Sequence, residues 1–145
     1  MLDTPGHLIG FFYMFLLLLQ GSLFLTRAHT NRWWTLTLEL LVAVHGTLVA
    51  IMQSGPDGLW PMFLFGFLAV FVITQMHGVG LSHRTRWVIG LGFLAAVVGT
   101  YAVLGFGRLD EVLRIPVIEY GLVGLLALLL WGGLALAAAV RRTVR

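Results

Sequence analysis

The sequence predicts an all-α bundle of five transmembrane helices, and three observations predict it. Hydrophobic residues fill 59% of the 145 positions and charged residues only 10%, with a mean hydropathy of +0.97, far more apolar than a soluble domain. The apolar residues fall into five runs, each near the ~20 residues that cross a bilayer as helix. The nine cationic side chains, all arginine, are segregated between alternate loops. Cysteine is absent, which removes disulfide frameworks, thiolate metal sites, iron–sulfur clusters and cysteine nucleophiles. The net charge of +3 reflects these loop arginines, so no nucleic-acid partner is expected.

The first span is placed at 7–26. Asp3 is the only charge ahead of it and no small-residue cleavage site follows, so it reads as a retained helix rather than a removable signal. The next loop carries Arg27, His29 and Arg32, and Trp33 with Trp34 anchors the start of the second span, 34–53, at the interface. A Ser-Gly-Pro-Asp-Gly turn over 54–58 closes it. The third span, 60–80, opens with Trp60 and with Pro61 in a first helical turn. After a second basic loop, the fourth span, 87–106, carries the pairs Gly92/Ala96 and Ala95/Gly99, whose spacing marks a helix contact face. Leu109, Val112 and Leu113 share one face over 107–115, which predicts a short amphipathic interfacial segment ended by Pro116. The fifth span, 116–140, exceeds what a bilayer requires and is expected to tilt or emerge.

Five spans place Arg27, Arg32, Arg84, Arg86, Arg141, Arg142 and Arg145 on one side, and Arg108 with Arg114 on the other. The positive-inside rule then puts the N-terminus outside and the C-terminus in the cytoplasm of a multi-pass cell-membrane protein. Arg27, Arg32, Arg84, Arg86, Arg141 and Arg142 are the expected contacts for anionic lipid headgroups.

The second span is the one long apolar run that carries both an acid, Glu39, and a histidine, His45, well inside it. At 3.6 residues per turn Thr35, Glu39, Ala43, Gly46, Ala50 and Gln53 form one small, polar stripe, the composition of a face turned toward other helices rather than lipid. Rise per residue places Gln20, Glu39 and His77 roughly 9 Å deep on three helices, with Gln75 slightly deeper. They are expected to form an inner polar layer in which Glu39 and His77 pair. His45 lies further out, with Tyr13, Tyr101 and Glu119 as polar companions on the outer side.

Two facing histidines raise the question of haem b, whose axial ligands must be nearly level. His45 and His77 differ in depth by more than ~10 Å on antiparallel helices, which disfavours them as a pair on one iron. His29, His77 and His83 form at most a weak surface metal set, and no metal or catalytic site is assigned. Phosphate loops, His-Glu-x-x-His and nucleophile-elbow motifs are missing from the sequence. The expected function is therefore a small, non-catalytic integral-membrane subunit or assembly factor of a larger energy-transducing, respiratory-type complex. Its expected partners are lipids and other membrane subunits or further copies of the chain. The alternative is a proton-coupled or quinone- or haem-interacting module built on a buried Glu and His.

Overall fold

A computed structural model describes residues 5–143, apart from the side chains of Pro5, Ala28, His29 and residues 141–143. Its described residues form α1 (Pro5–Ser22), α2 (Arg32–Ser54), α3 (Trp60–Gly78), α4 (His83–Leu104) and α5 (Glu111–Thr143). The chain is all-α, and α2 to α5 are each long and apolar enough to cross a membrane. At 18 residues, α1 is about 27 Å long, slightly short of a ~30 Å hydrocarbon core. The predicted first span of 7–26 is corrected here. The helix stops at Ser22, whose hydroxyl donates to the Leu19 carbonyl at 2.7 Å, and Leu23 begins a turn that leaves Phe24 and Leu25 exposed.

Local chemistry sets the other boundaries. Asn31 caps α2, its side-chain oxygen accepting from the Trp33 and Trp34 amides at 2.9 and 3.4 Å. Gly55, at φ 72°, ends the same helix, and its N–H returns to the Ile51 carbonyl. Ser82 caps α4 by accepting from the Thr85 amide at 3.2 Å, which starts that helix four residues before the expected Trp87. Gly105, at φ 99°, terminates it.

Helix α3 is the centre of the arrangement, packed between α2 and α5, with α1 lying on α2. The small stripe of α2 supplies the α2–α3 contact. Ala43 and Ala50 are buried, and a Cβ on Gly46 would stand 3.2 Å from Phe63 and 3.3 Å from Phe67. On its other side Gly66 admits Ile115 of α5, whose Cβ would lie 2.9 Å from an added methyl. Phe65, Ala69, Val97, Tyr101 and Val112 form the buried cluster joining α3, α4 and α5. Dispersion between such closely fitted surfaces, rather than exclusion from water, is what holds helices together in lipid.

Successive helices run antiparallel. The Trp34 indole N–H donates to Gln20 at the end of α1, and Arg32 lies beside Gly80 after α3. Arg86 near the start of α4 reaches His77 near the end of α3. At the opposite ends, Arg108 before α5 binds the carbonyls of Asp57 and Gly58 before α3.

Residues 107–115 are not the separate interfacial segment expected, and Pro116 does not end a helix. After a short turn at Phe106–Arg108, α5 begins at Glu111 and continues through Pro116 for 33 residues. Glu111 and Val112 are buried, so the segment is docked inward by its polar contacts and by Val112. As the sixth residue of α5, Pro116 forfeits one amide donor, to the Val112 carbonyl, a loss that membrane helices tolerate.

The small-residue pairs of α4 also differ from expectation. Gly92 and Gly99 have no neighbour within 4 Å of an added Cβ, and Ala95 and Ala96 are exposed. Inside the chain α4 packs instead through Phe93, Val97 and Tyr101, one helical face at intervals of four. Beyond Tyr120, residues 121–140 of α5 are exposed throughout.

Candidate functional site

Glu39 is held on the inward stripe of α2 by the close α2–α3 packing, seven residues into the helix. With Glu119 it lines a cavity of about 190 Å³, walled by Val42, Ala43, Phe67, Val70 and Phe71. The Oε2 atom of Glu39 is buried and has no hydrogen-bond partner. A smaller cavity joins the same carboxyl to Thr35 and Gln75 on the side nearer Arg32. Two carboxyl groups in one apolar cavity repel each other when both are ionised, and a shared proton or a cation removes that repulsion.

Helix α3 departs from α-helical geometry beside this cavity. Phe71–Gln75 is a π-helical segment, and Thr74 within it both donates back to the Val70 carbonyl at 2.9 Å and meets the Tyr120 hydroxyl at 3.2 Å. Single π turns in membrane helices shift the register of the side chains that follow and often accompany functional sites. Here the segment puts Phe71 on the Glu39 cavity and Thr74 on α5.

His77 does not pair with Glu39. Its Nδ1 lies 3.3 Å from Nη1 of Arg86, and with His83 and Trp87 it lines a different cavity between α3 and α4. Gln20 is engaged by Trp34, so the expected inner layer of Gln20, Glu39 and His77 resolves into three separate environments. Glu119, expected on the outer side, comes instead to Glu39. The helix that carries it starts at Glu111 rather than Pro116, which sinks Glu119 roughly 12 Å below the start of the helix.

His45 stacks on Tyr13 with ring centroids 5.8 Å apart and packs against Gly10, where an added Cβ would lie 3.1 Å from Cε1. Its Nδ1 is buried without a hydrogen-bond partner. It lines a cavity of about 520 Å³ between α1 and α2, together with His7, Met52 and Gln53. His45 and His77 therefore serve different helix pairs. No group of three or more metal-ligating side chains occurs among the described residues, and the side chain of His29 lies outside them, as do those of Arg141 and Arg142.

A buried polar knot that sequence reasoning missed ties the opposite end of the bundle together. Glu111, with its side chain 5% exposed, accepts from Arg108 Nε at 2.8 Å. It also accepts from the Tyr101 hydroxyl at 3.2 Å. Arg108 adds bonds to the carbonyls of Asp57 at 3.1 Å and Gly58 at 2.6 Å, and Tyr101 is fully buried. The turn before α3, the end of α4 and the start of α5 thus share one network. The sequence signal available was a Glu three residues after an Arg, but Tyr101 lies ten residues before that Glu, and the carbonyls that Arg108 binds lie 51 and 50 residues before the arginine.

No family model, curated protein or solved structure matches the chain. The remaining predicted arginines are dispersed: Arg32 lies over the Trp33 ring at 5.5 Å, Arg84 is exposed beside the α4 cap, and Arg27 sits in the turn before α2.

Proposed function

We propose that this chain is a non-catalytic integral-membrane subunit or assembly factor of a larger complex, of the energy-transducing kind that places ionisable groups at membrane depth. The observation that carries the reading is the small-residue surface left without partners among the described residues. Gly92 and Gly99 on α4, and Gly121, Gly124, Gly132 and Gly133 on α5, have nothing within 4 Å of an added Cβ. Small residues at helical spacing gain their value in lipid when another helix approaches closely. The same reading takes five spans, with the N-terminus outside and the Arg27, Arg32, Arg84 and Arg86 end in the cytoplasm. The alternation of helix ends supports it, and α1 is the shortest of the five. Extraction in mild detergent followed by native separation tests the proposal. A stable assembly larger than the chain is expected, and a solitary monomer under several gentle conditions contradicts it.

A second reading is favoured by the shared Glu39–Glu119 cavity. In it the pair exchanges a proton or cation at membrane depth, so that Glu39 is functional rather than a fastening. Glu39→Gln then abolishes proton-dependent activity of the purified assembly while the fold survives. Unchanged activity in that variant removes this reading and leaves the first one standing.

A further inference from the structure

We propose that the cavity between the end of α3 and the start of α4 binds the phosphate of an anionic phospholipid. The cavity has a volume of about 280 Å³ and is lined by Met76, His77, His83, Arg86, Trp87 and Gly90. No carboxylate is among these lining residues.

The hydrogen bonds already made fix the chemistry of what remains. Arginine donates only, so the contact between Arg86 Nη1 and His77 Nδ1 at 3.3 Å makes that ring nitrogen an acceptor. The other nitrogen of the neutral ring, Nε2, must then carry the proton. The indole N–H of Trp87 likewise donates to His83 Nε2 at 2.8 Å, which leaves His83 Nδ1 as a donor. Arg86 is itself positioned by its Nε bond to the Leu81 carbonyl at 3.0 Å, and Nη2 stays available. His77, His83 and Arg86 therefore each have a donor left to offer, while the indole N–H of Trp87 is already spent on His83, and Arg86 is a permanent cation. A phosphate oxyanion, acceptor-only and matched to guanidinium, is the complement of such a set. A divalent metal is not, because both histidine lone pairs are already engaged and a guanidinium stands beside them.

Three features point to a lipid rather than free phosphate. Trp87 is 59% exposed at the end of a helix apolar enough to cross a membrane, the usual depth of headgroups. Met76 and Gly90 supply an apolar wall beside the polar groups, and Gly90 leaves open space where an acyl chain would begin. The proposal rests on the membrane character of α3 and α4, and it is independent of whether the chain belongs to a larger complex.

Purified full-length protein in nonionic detergent, titrated with phosphatidylglycerol or phosphatidylcholine and read by native mass spectrometry, tests the proposal. Phosphatidylglycerol is expected to bind about tenfold more tightly, because both lipids present the phosphodiester but only phosphatidylcholine brings a quaternary ammonium up against the Arg86 guanidinium. Arg86→Gln should bring it down to the phosphatidylcholine level, and Arg114→Gln, at the opposite end of the bundle beside Asp110, should leave it unchanged. Gly90→Leu fills the apolar side without touching a polar group, so it should weaken lipid binding even if Arg86→Gln does not fold. Equal binding of the two lipids overturns the proposal, as does equal loss in the Arg114 and Arg86 variants. Displacement of the lipid by millimolar inorganic phosphate overturns it in favour of a soluble-phosphate site.

Discussion

Replacing Glu111 should loosen three elements at once, and the size of the effect follows from its partners. The carboxylate is nearly sealed from water, at 5% exposure, and accepts from Arg108 and from Tyr101. Glu111→Gln keeps volume and one acceptor oxygen but sets an amide N–H₂ against donors. A charge-assisted bond contributes ~1.5–3 kcal/mol, and discounting for the water that reaches the arginine side leaves a cost of about 1–2 kcal/mol. Glu111→Leu also strands the fully buried Tyr101 hydroxyl, adding ~1–3 kcal/mol for an unsatisfied polar group, so about 3 kcal/mol in all is expected. Tyr101→Phe alone should cost ~1 kcal/mol. In the double variant Tyr101→Phe/Glu111→Leu no hydroxyl remains to be stranded, so the loss should fall short of the sum by ~1 kcal/mol or more. Reversible unfolding in mixed micelles, followed by tryptophan fluorescence, measures all four proteins. Additivity within ~0.5 kcal/mol, or a neutral Glu111→Leu, would refute the network.

Gly66→Leu should separate α3 from α5, because even a methyl there meets Ile115 at 2.9 Å; an overpacking cost of ~1–3 kcal/mol is expected in the same unfolding assay, and no change would remove this contact from the account. At Gly92, by contrast, an added Cβ has nothing within 4 Å among the described residues, so Gly92→Leu should leave the stability of the isolated protein within ~0.5 kcal/mol of wild type. For topology, a membrane-impermeant thiol reagent applied to intact cells should label Asp57→Cys and spare Thr85→Cys, and the reverse pattern would invert the orientation. The absence of native cysteine makes that assay direct.

The helices were legible in the sequence because apolar length and turn residues carry them: Trp33, Trp34, Trp60 and Trp87, the Gly55 turn and the basic loops all lie at helix ends. Interior faces were legible only where polarity marked them. The Thr35–Glu39–Ala43–Gly46 stripe faces α3, but on α4 the small residues face outward and the packed face is Phe93, Val97 and Tyr101. In lipid both the core side and the lipid side of a helix are apolar, so periodicity loses the contrast that reveals burial in soluble proteins. Depth counting set Glu119 apart from Glu39 because it took Pro116 as a helix start, whereas the two carboxyls line one cavity. The π-helical segment over Phe71–Gln75 has no compositional signature, and the Arg108–Asp57 contact depends on tertiary closure that local spacing does not encode.

The central claim is that the unpartnered faces of α4 and α5 meet protein rather than lipid. A photo-crosslinking residue placed at Ala96, on the small face of α4, or at Leu128, in the exposed half of α5, tests it in native membranes. Leu94, 56% exposed on a different face of α4, serves as a comparison site. The account predicts discrete crosslinked protein bands from positions 96 and 128. Crosslinks to lipid alone at both positions, no different from those at Leu94, would contradict it.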